Sequence, residues 1–563
     1  MDLKKICLLV LLTVSMVSAV FGQIEEGGIP LGFNLPLEEV EVFEVPLVSI
    51  FSAQRVSVEE QQLASIGEVY EVGARPEKDG KWTDLPNGNR LWQFQLELPG
   101  AEALGLYFRD FYLPEGAKLF IYNKEKTMVL GAFTSANNQP TGLFSTRLLV
   151  GEAAIIEYYE PAAVSGEGHF EIAEAGYVRK GNGIVQPESA GEQVTAAGSC
   201  NVNVECEEGE FYSQVKSSVV RILVRLGNQI GWCSGVIVNN TNNDLTPYVL
   251  TAQHCGLNSF SGFLTESSDF AQWIFYFNYE SPICTGVFSP NDIEIKTMVG
   301  ATPVSESDDE GGDSGSDFLL LQLNESIPQD YKPVFAGWDR TERVASSGAS
   351  IHHPDGDVKK ISTFKTTLTS SQFTNDVLDT HWRVIWTETA NGHGITEGGS
   401  SGAPLFNEDV MVIGTLSGGN SSCSDLDRAD IYGKFSYHWD QNGTASNRSL
   451  GNWLDPTNTG VEKLRAINYE GKIVTDLTDE KPVVKLKVYP NPASSGNFKI
   501  ETDQIGALQV QLFNISGKVV YSYSETAFAG GEVPVSLPDL SAGIYLLKLE
   551  SKDKVGTAKI VLE

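Results

Sequence analysis

Short apolar runs broken by Gly, Asn and Ser recur along most of the chain. Leu91-Trp92-Gln93-Phe94-Gln95-Leu96-Glu97-Leu98 alternates with period two, as a half-buried strand does. Ala117–Tyr122, Val219–Leu226, Tyr248–Ala252, Phe318–Leu323 and Val410–Leu416 are further predicted strands, as are 507–514 and 544–549, with Asn514–Lys518 as a turn. The aromatic run from Trp273 to Tyr279 reads as core. The pattern predicts a mainly β protein built of barrels or sandwiches, without a fixed-period repeat.

The breaks divide the chain. Lys4 and Lys5 precede an apolar stretch from Ile6 to Val20, with small residues at Ala19 and Gly22. That order predicts a secretory signal peptide over 1–22. The stretch is short for a membrane span, and no later one is long enough, so no transmembrane segment is expected. Residues 23–60 are acidic and read as an extended lead-in; 65–175 are β-rich and free of cysteine. Residues 181–199 lack Lys and Arg and read as a linker, which makes 23–197 one region. The cysteine-bearing domain runs over 198–468, a charged linker over 469–484 and a last all-β domain over 485–563.

Composition narrows the function. The net charge of −33 repels nucleic acid and anionic lipid, so neither is an expected partner. Of seven cysteines, Cys7 lies in the signal. The remaining Cys200, Cys206, Cys233, Cys255, Cys284 and Cys423 form an even set in an exported chain, which implies disulfides but leaves their pairing open. No Cys-x-x-Cys pair occurs, which argues against structural zinc. The acidic run Ser305–Asp317 lacks EF-hand spacing and reads as a solvated loop. His352-His353 are adjacent rather than four apart. No metal and no organic cofactor are expected.

Three segments carry the parts of a serine nucleophile. Leu250-Thr251-Ala252-Gln253-His254-Cys255-Gly256 places a histidine at the end of an apolar strand. Ser316-Asp317-Phe318 places an aspartate at the mouth of another. Gly398-Gly399-Ser400-Ser401-Gly402 puts Ser401 in a turn whose small residues let the Gly399 and Ser401 amides face a substrate carbonyl. His254 would take the Ser401 proton, Asp317 would hold the imidazole tautomer, and the two amides would form the oxyanion hole. A surface-binding protein on the same fold and an exported esterase are the competing readings.

The middle domain resembles the bacterial lysyl endopeptidases, a branch of the trypsin-like serine proteases. The resemblance rests on Gly198-Ser199-Cys200-Asn201, Leu250–Gly256, Ser316–Phe318, Ala336–Arg340, Ile351–Pro354, Thr396–Gly402, Ser421–Ser424 and Trp453–Pro456. It implies a double β-barrel with the triad between barrels. It also implies the pairings Cys200–Cys423, Cys206–Cys284 and Cys233–Cys255. In that family an acidic residue at the base of the specificity pocket pairs with a substrate lysine; the matching position is Asp430. The family's stacked histidine and tryptophan beside the pocket match Ser417 and Phe373. That departure loosens strict lysine preference, so cleavage after Lys, with Arg as a second choice, is expected on protein or peptide substrates.

Chains of this kind carry their N-terminal region as a folding-assisting, cleft-blocking propeptide. Arg179-Lys180 is a candidate processing site. The last domain resembles the C-terminal sorting domains of Bacteroidetes proteins exported by the type IX system. It does so through Val488–Ala493, Phe513–Lys518, Leu540–Tyr545 and Lys559–Glu563. This implies an immunoglobulin-like sandwich that engages the type IX machinery, passes the periplasm and leaves the protein released or held at the cell surface.

Overall fold

The computed structural model describes residues 25–34, 40–47, 64–179, 197–474 and 483–562, apart from short gaps at 259–260, 287, 289–291, 375–376, 494–495, 503–505, 515–518, 529–530, 538–539 and 552–554. The expected signal peptide, most of both linkers and part of the 514–518 turn lie outside the described residues. The chain divides into two units, residues 1–474 and 475–563.

Val219–Leu226 and Gln229–Val238 form a hairpin and lie at the centre of the first barrel. Ile274–Phe277 flanks the first of these strands, and Tyr248–Thr251, Leu319–Leu323 and Ala301–Glu306 follow the second. Lys296–Val299 pairs back onto Ile274–Phe277. Only Gly300, at φ +86°, separates it from Ala301–Glu306. One bent segment therefore joins both ends of the sheet and closes it. The Val219–Leu226 strand is buried throughout because one face fills the barrel and the other meets neighbouring layers.

The second barrel has the order Lys360–Phe364, Gly348–His352, Pro404–Asn407, Val412–Gly419, Asp430–Lys434, His381–Val384, Thr369–Ser371. A backbone hydrogen bond from Thr387 to the Thr363 carbonyl links its ends. Val202, Val236, Leu250, Phe318, Trp338, Ile351 and Phe406 share one core, so the barrels pack on each other. The result is a double barrel, as the resemblance implies. Disulfides join Cys200–Cys423, Cys206–Cys284 and Cys233–Cys255. The strand expected from Val410 begins at Val412; Val410 sits at φ +58° in a turn.

The N-terminal region is a sandwich over a core containing Trp92, Phe94, Leu106, Phe108 and Ile156. One of its sheets runs on into the first barrel, because Ala64–Ala74 pairs with Gln229–Trp232. The Arg90–Glu97 strand is not half-exposed as its alternation predicts. Gln93 is buried and donates to Glu157, beneath the segment Leu31–Phe33 that covers this face. Polar residues on the pleat here bond to each other.

The second unit is a two-sheet sandwich. Its larger sheet runs Val483–Lys485, Val555–Leu562, Gly543–Ser551, Gly506–Phe513, Val519–Phe528; its smaller one runs Lys487–Tyr489, Asn497–Thr502, Gly531–Ser536. Asn497–Thr502 alternates exposed and buried residues, the signature of a strand with one solvated face. Among the described residues, no helix is long and apolar enough to cross a membrane.

Candidate active site

Tyr248–Thr251 and Leu319–Leu323 are antiparallel neighbours, with Thr251 opposite Leu319. The end of one strand therefore lies beside the start of the other, which brings His254 to Asp317. His254 sits in the single turn Gln253–Cys255, tied by the Cys233–Cys255 bridge to the adjacent strand. Its Nδ1 lies 2.7 Å from Asp317 Oδ2, and its backbone amide donates to Asp317 Oδ1 at 3.0 Å. Asp317 is fully buried and His254 nearly so. With Nδ1–H donating to the Asp317 carboxylate, the lone pair of the neutral ring is left on Nε2. Burial pushes the imidazolium pKa down, but the Asp317 charge, the hydrogen bond to it and the Asp309 charge outweigh this and raise it.

Ser401 lies in the turn before Pro404–Asn407. Gly402, at φ +80°, is wedged against the strand end that carries His254. A Cβ there would fall 2.1 Å from Thr251 Oγ1 and 2.6 Å from the Ala252 nitrogen. Only glycine allows that approach. Ser234 binds the same turn twice, through its amide to the Ser401 carbonyl and its hydroxyl to the Gly399 carbonyl. Gly399, at φ +86°, rests on the His353–Gly356 loop, with space for a Cβ ending 2.9 Å from the His353 carbonyl. Among the described residues, neither the Gly399 nor the Ser401 amide donates to another protein atom.

His352 and His353 support this turn from below. His352 Nδ1 meets Ser400 Oγ at 2.8 Å, and burial lowers its pKa to about 3, so the ring stays neutral. His353 is likewise buried with its pKa lowered, and its Nδ1 meets the Asp357 carbonyl. Arg221 stacks on Trp232, Tyr276 and Tyr279 and donates to the Gly356 carbonyl, which braces the same loop.

Asp430 is fully buried at the start of its strand, opposite Gly419. A side chain on Gly419 would fall 2.0 Å from Asp430 Oδ1. Trp386 Nε1, Thr396 Oγ1 and Ser421 Oγ all donate to Oδ2, at 2.6, 2.8 and 2.6 Å; the Ser421 amide donates to Oδ1 at 3.1 Å. Burial raises the Asp430 pKa, and these donors partly offset it.

Ser417 and Phe373 come together through a residue the sequence did not single out. His381, buried on the strand beside Asp430, meets Ser417 Oγ through Nε2 at 3.1 Å and lies against the Phe373 ring, with centroids 5.7 Å apart. Burial lowers its pKa to about 4. The sequence likewise assigns no role to Trp386, Thr396, Ser421 or Gln253. Thr396, Ser421 and Gln253 lie inside motifs that the sequence already marks. His381 and Trp386 sit among alternating core residues, where nothing in the sequence marks them. The acidic run departs from the solvated loop its composition predicts: Ser307, Asp309 and Asp317 are buried in it.

Residues 194–433 match the family model "Lysyl endopeptidase, C-terminal domain", and residues 487–563 match "Secretion system C-terminal sorting domain". A lysyl endopeptidase of Pseudomonas aeruginosa is 24% identical over 374 residues, 63% of this chain and 75% of its own length. Similar solved structures include the thermostable serine protease AL20 from an extremophilic microorganism, at 15% identity and TM-score 0.28, covering 39% of this chain and 93% of that one. Protease Anisep from Arthrobacter nicotinovorans follows at 18% identity and TM-score 0.28, covering 39% and 90%. Residues 194–433 are thus similar to the lysyl endopeptidase domain and residues 487–563 to the type IX secretion sorting domain, and the protein is an exported serine endopeptidase.

Proposed function

We propose that the protein hydrolyses peptide bonds on the carboxyl side of lysine, and less readily of arginine, with His254, Asp317 and Ser401 as the triad. The buried His254–Asp317 pair beside a serine turn seated by Gly402 carries this reading. His254 Nε2 takes the Ser401 Oγ proton as Oγ attacks the scissile carbonyl. The Gly399 and Ser401 amides bind the oxyanion, and the proton passes from His254 to the leaving amine. Water then repeats the sequence on the acyl-enzyme, with His254 again as base.

Asp430 supports selection of a cation, since a neutral side chain in its place would leave a buried carboxylate unmatched. Its Oδ2 already accepts three donors, so a single ammonium on Oδ1 fits better than the two-pronged guanidinium. Fluorogenic peptides differing only in the residue before the cut test this. Turnover is expected after Lys, then Arg; cleavage after Glu or Leu alone overturns it. Ser401→Ala is expected to abolish activity and labelling by a phosphonofluoridate.

Residues 23–197 are proposed to act as a propeptide. Ala64 lies opposite Trp232, the residue before Cys233, and its Cβ would meet one on Gly398 at 2.9 Å. The N-terminal sandwich thus enters the sheet edge beside the serine turn. Arg179 there bonds the Ser65 carbonyl, while Lys180 lies outside the described residues. N-terminal sequencing of secreted protein, from wild type and Ser401→Ala, tests the 198 boundary and whether maturation is autocatalytic.

A further inference from the structure

The loop that delivers Asp317 is held in an unusual shape. Asp308, Glu310 and Asp317 have φ of +50°, +58° and +57°, a left-handed conformation that side-chain-bearing residues keep only when surrounding contacts hold them there. Two buried polar side chains make those contacts. Asp309 Oδ2 accepts the Asp317 amide at 2.8 Å, and its Oδ1 accepts the Gly312 amide at 3.0 Å and the Ser307 hydroxyl at 2.7 Å. Gln253, the residue before His254, accepts the Asp309 and Gly311 amides through Oε1 at 3.2 and 3.0 Å and donates to Glu306 through Nε2 at 2.8 Å. Its own amide donates to the Asp317 carbonyl. Both side chains are 2% exposed.

We infer that Gln253 and Asp309 are positioning residues: they clamp the loop 306–317 onto the His254 turn so that the Asp317 carboxylate stays on the imidazole, with Asp309 acting as an anion. This rests on the triad reading above. The charged and titratable groups around Asp309 are few. Asp317 and His254 lie on one side, Glu306 and Asp308 on its own loop, and Tyr437 on the helix Phe435–Asp440. Arg448 pairs with Glu306 and Asp308 at 2.9 and 2.6 Å. Burial, then the Asp317 charge, raise the Asp309 pKa to about 6, so Asp309 is ionised at neutral pH. Its charge also helps to raise the His254 pKa.

Asp309→Asn tests both halves. An amide offers one acceptor oxygen, so one of the donors on the carboxylate meets an NH2 instead. In the matured enzyme, kcat is expected to fall about 10–100-fold with KM little changed, as misplacement of a catalytic group does. The acid limb of kcat/KM is expected to move down by roughly 0.3–1 pH unit, because an anion near His254 is lost. Gln253→Met, uncharged before and after, is expected to lower kcat and leave the limb in place. An unmoved limb in Asp309→Asn, or wild-type kcat in Gln253→Met, overturns the inference. If Asp309→Asn does not fold, Gln253→Met decides alone. Ser401→Ala in the same assay separates the two readings: retained activity removes the triad, whereas a dead Ser401→Ala beside unaffected Asp309→Asn and Gln253→Met removes only the clamp.

Discussion

Gly402 is the residue on which the site most directly depends for space. Gly402→Ala would drive a methyl into Thr251 and Ala252 at a left-handed φ, in a turn with no room to yield. We expect it to destabilise the protein by ~3 kcal/mol and to lower activity more steeply than stability, read by thermal melts beside kcat/KM. As the proposed base, His254 is expected to set the pH dependence. The base works unprotonated, and its pKa lies above the ordinary 6.5. Activity is therefore present above the raised pKa and lost as pH falls through it, so the acid limb of kcat/KM is expected above pH 6.5. Asp317→Asn is expected to lower kcat by about 10⁴-fold, because the amide no longer holds the imidazole in the working tautomer.

Among the elements, the Cys233–Cys255 bridge does the most to hold the site. It spans 22 residues and joins the central strand of the first barrel to the turn that carries His254. Replacing both cysteines by serine is expected to cost about 3 kcal/mol in chain entropy, read by denaturant unfolding, and to loosen His254. The strands that position the site were legible as apolar runs, since a buried strand must be apolar whatever its partner. Which strand sits beside which was not. Thr251 opposite Leu319 is a long-range pairing, and it sets residue 254 beside residue 317. His381 shows the same limit. It reaches Ser417 and Phe373 only because His381–Val384 pairs with Asp430–Lys434, which in turn pairs with Val412–Gly419.

On the scale of the whole molecule, the N-terminal sandwich shares a core with the first barrel. Ile66, Val69, Tyr107 and Val178 pack with Leu223, Ile230, Trp232 and Tyr276. Arg225 pairs with Glu174 at 2.8 Å, and Gln272 donates to the Phe108 carbonyl. Such a shared apolar core does not part when one peptide bond is cut. After cleavage between 180 and 197, the two pieces are expected to co-elute on gel filtration, with full activity only once the smaller one is degraded. Export is carried at the other end. A chain ending at residue 474 is expected to accumulate in the periplasm by cell fractionation, and unaffected secretion would remove the sorting role from 487–563.

By itself the sequence determined the mainly β class, the placing of the cysteines in one domain, and the three short motifs around His254, Asp317 and Ser401. These are local properties: strand burial, turn chemistry and the small residues a tight turn needs all show within a few positions. Tertiary structure decided the rest. It set the four donors on Asp430, the His381–Ser417–Phe373 contact, the buried role of Asp309 in a loop whose composition reads as solvated, and the joining of the N-terminal sheet to the barrel. Each depends on which distant segments come side by side. A polar residue is buried or solvated according to the partners that pairing supplies, and those partners lie far along the chain.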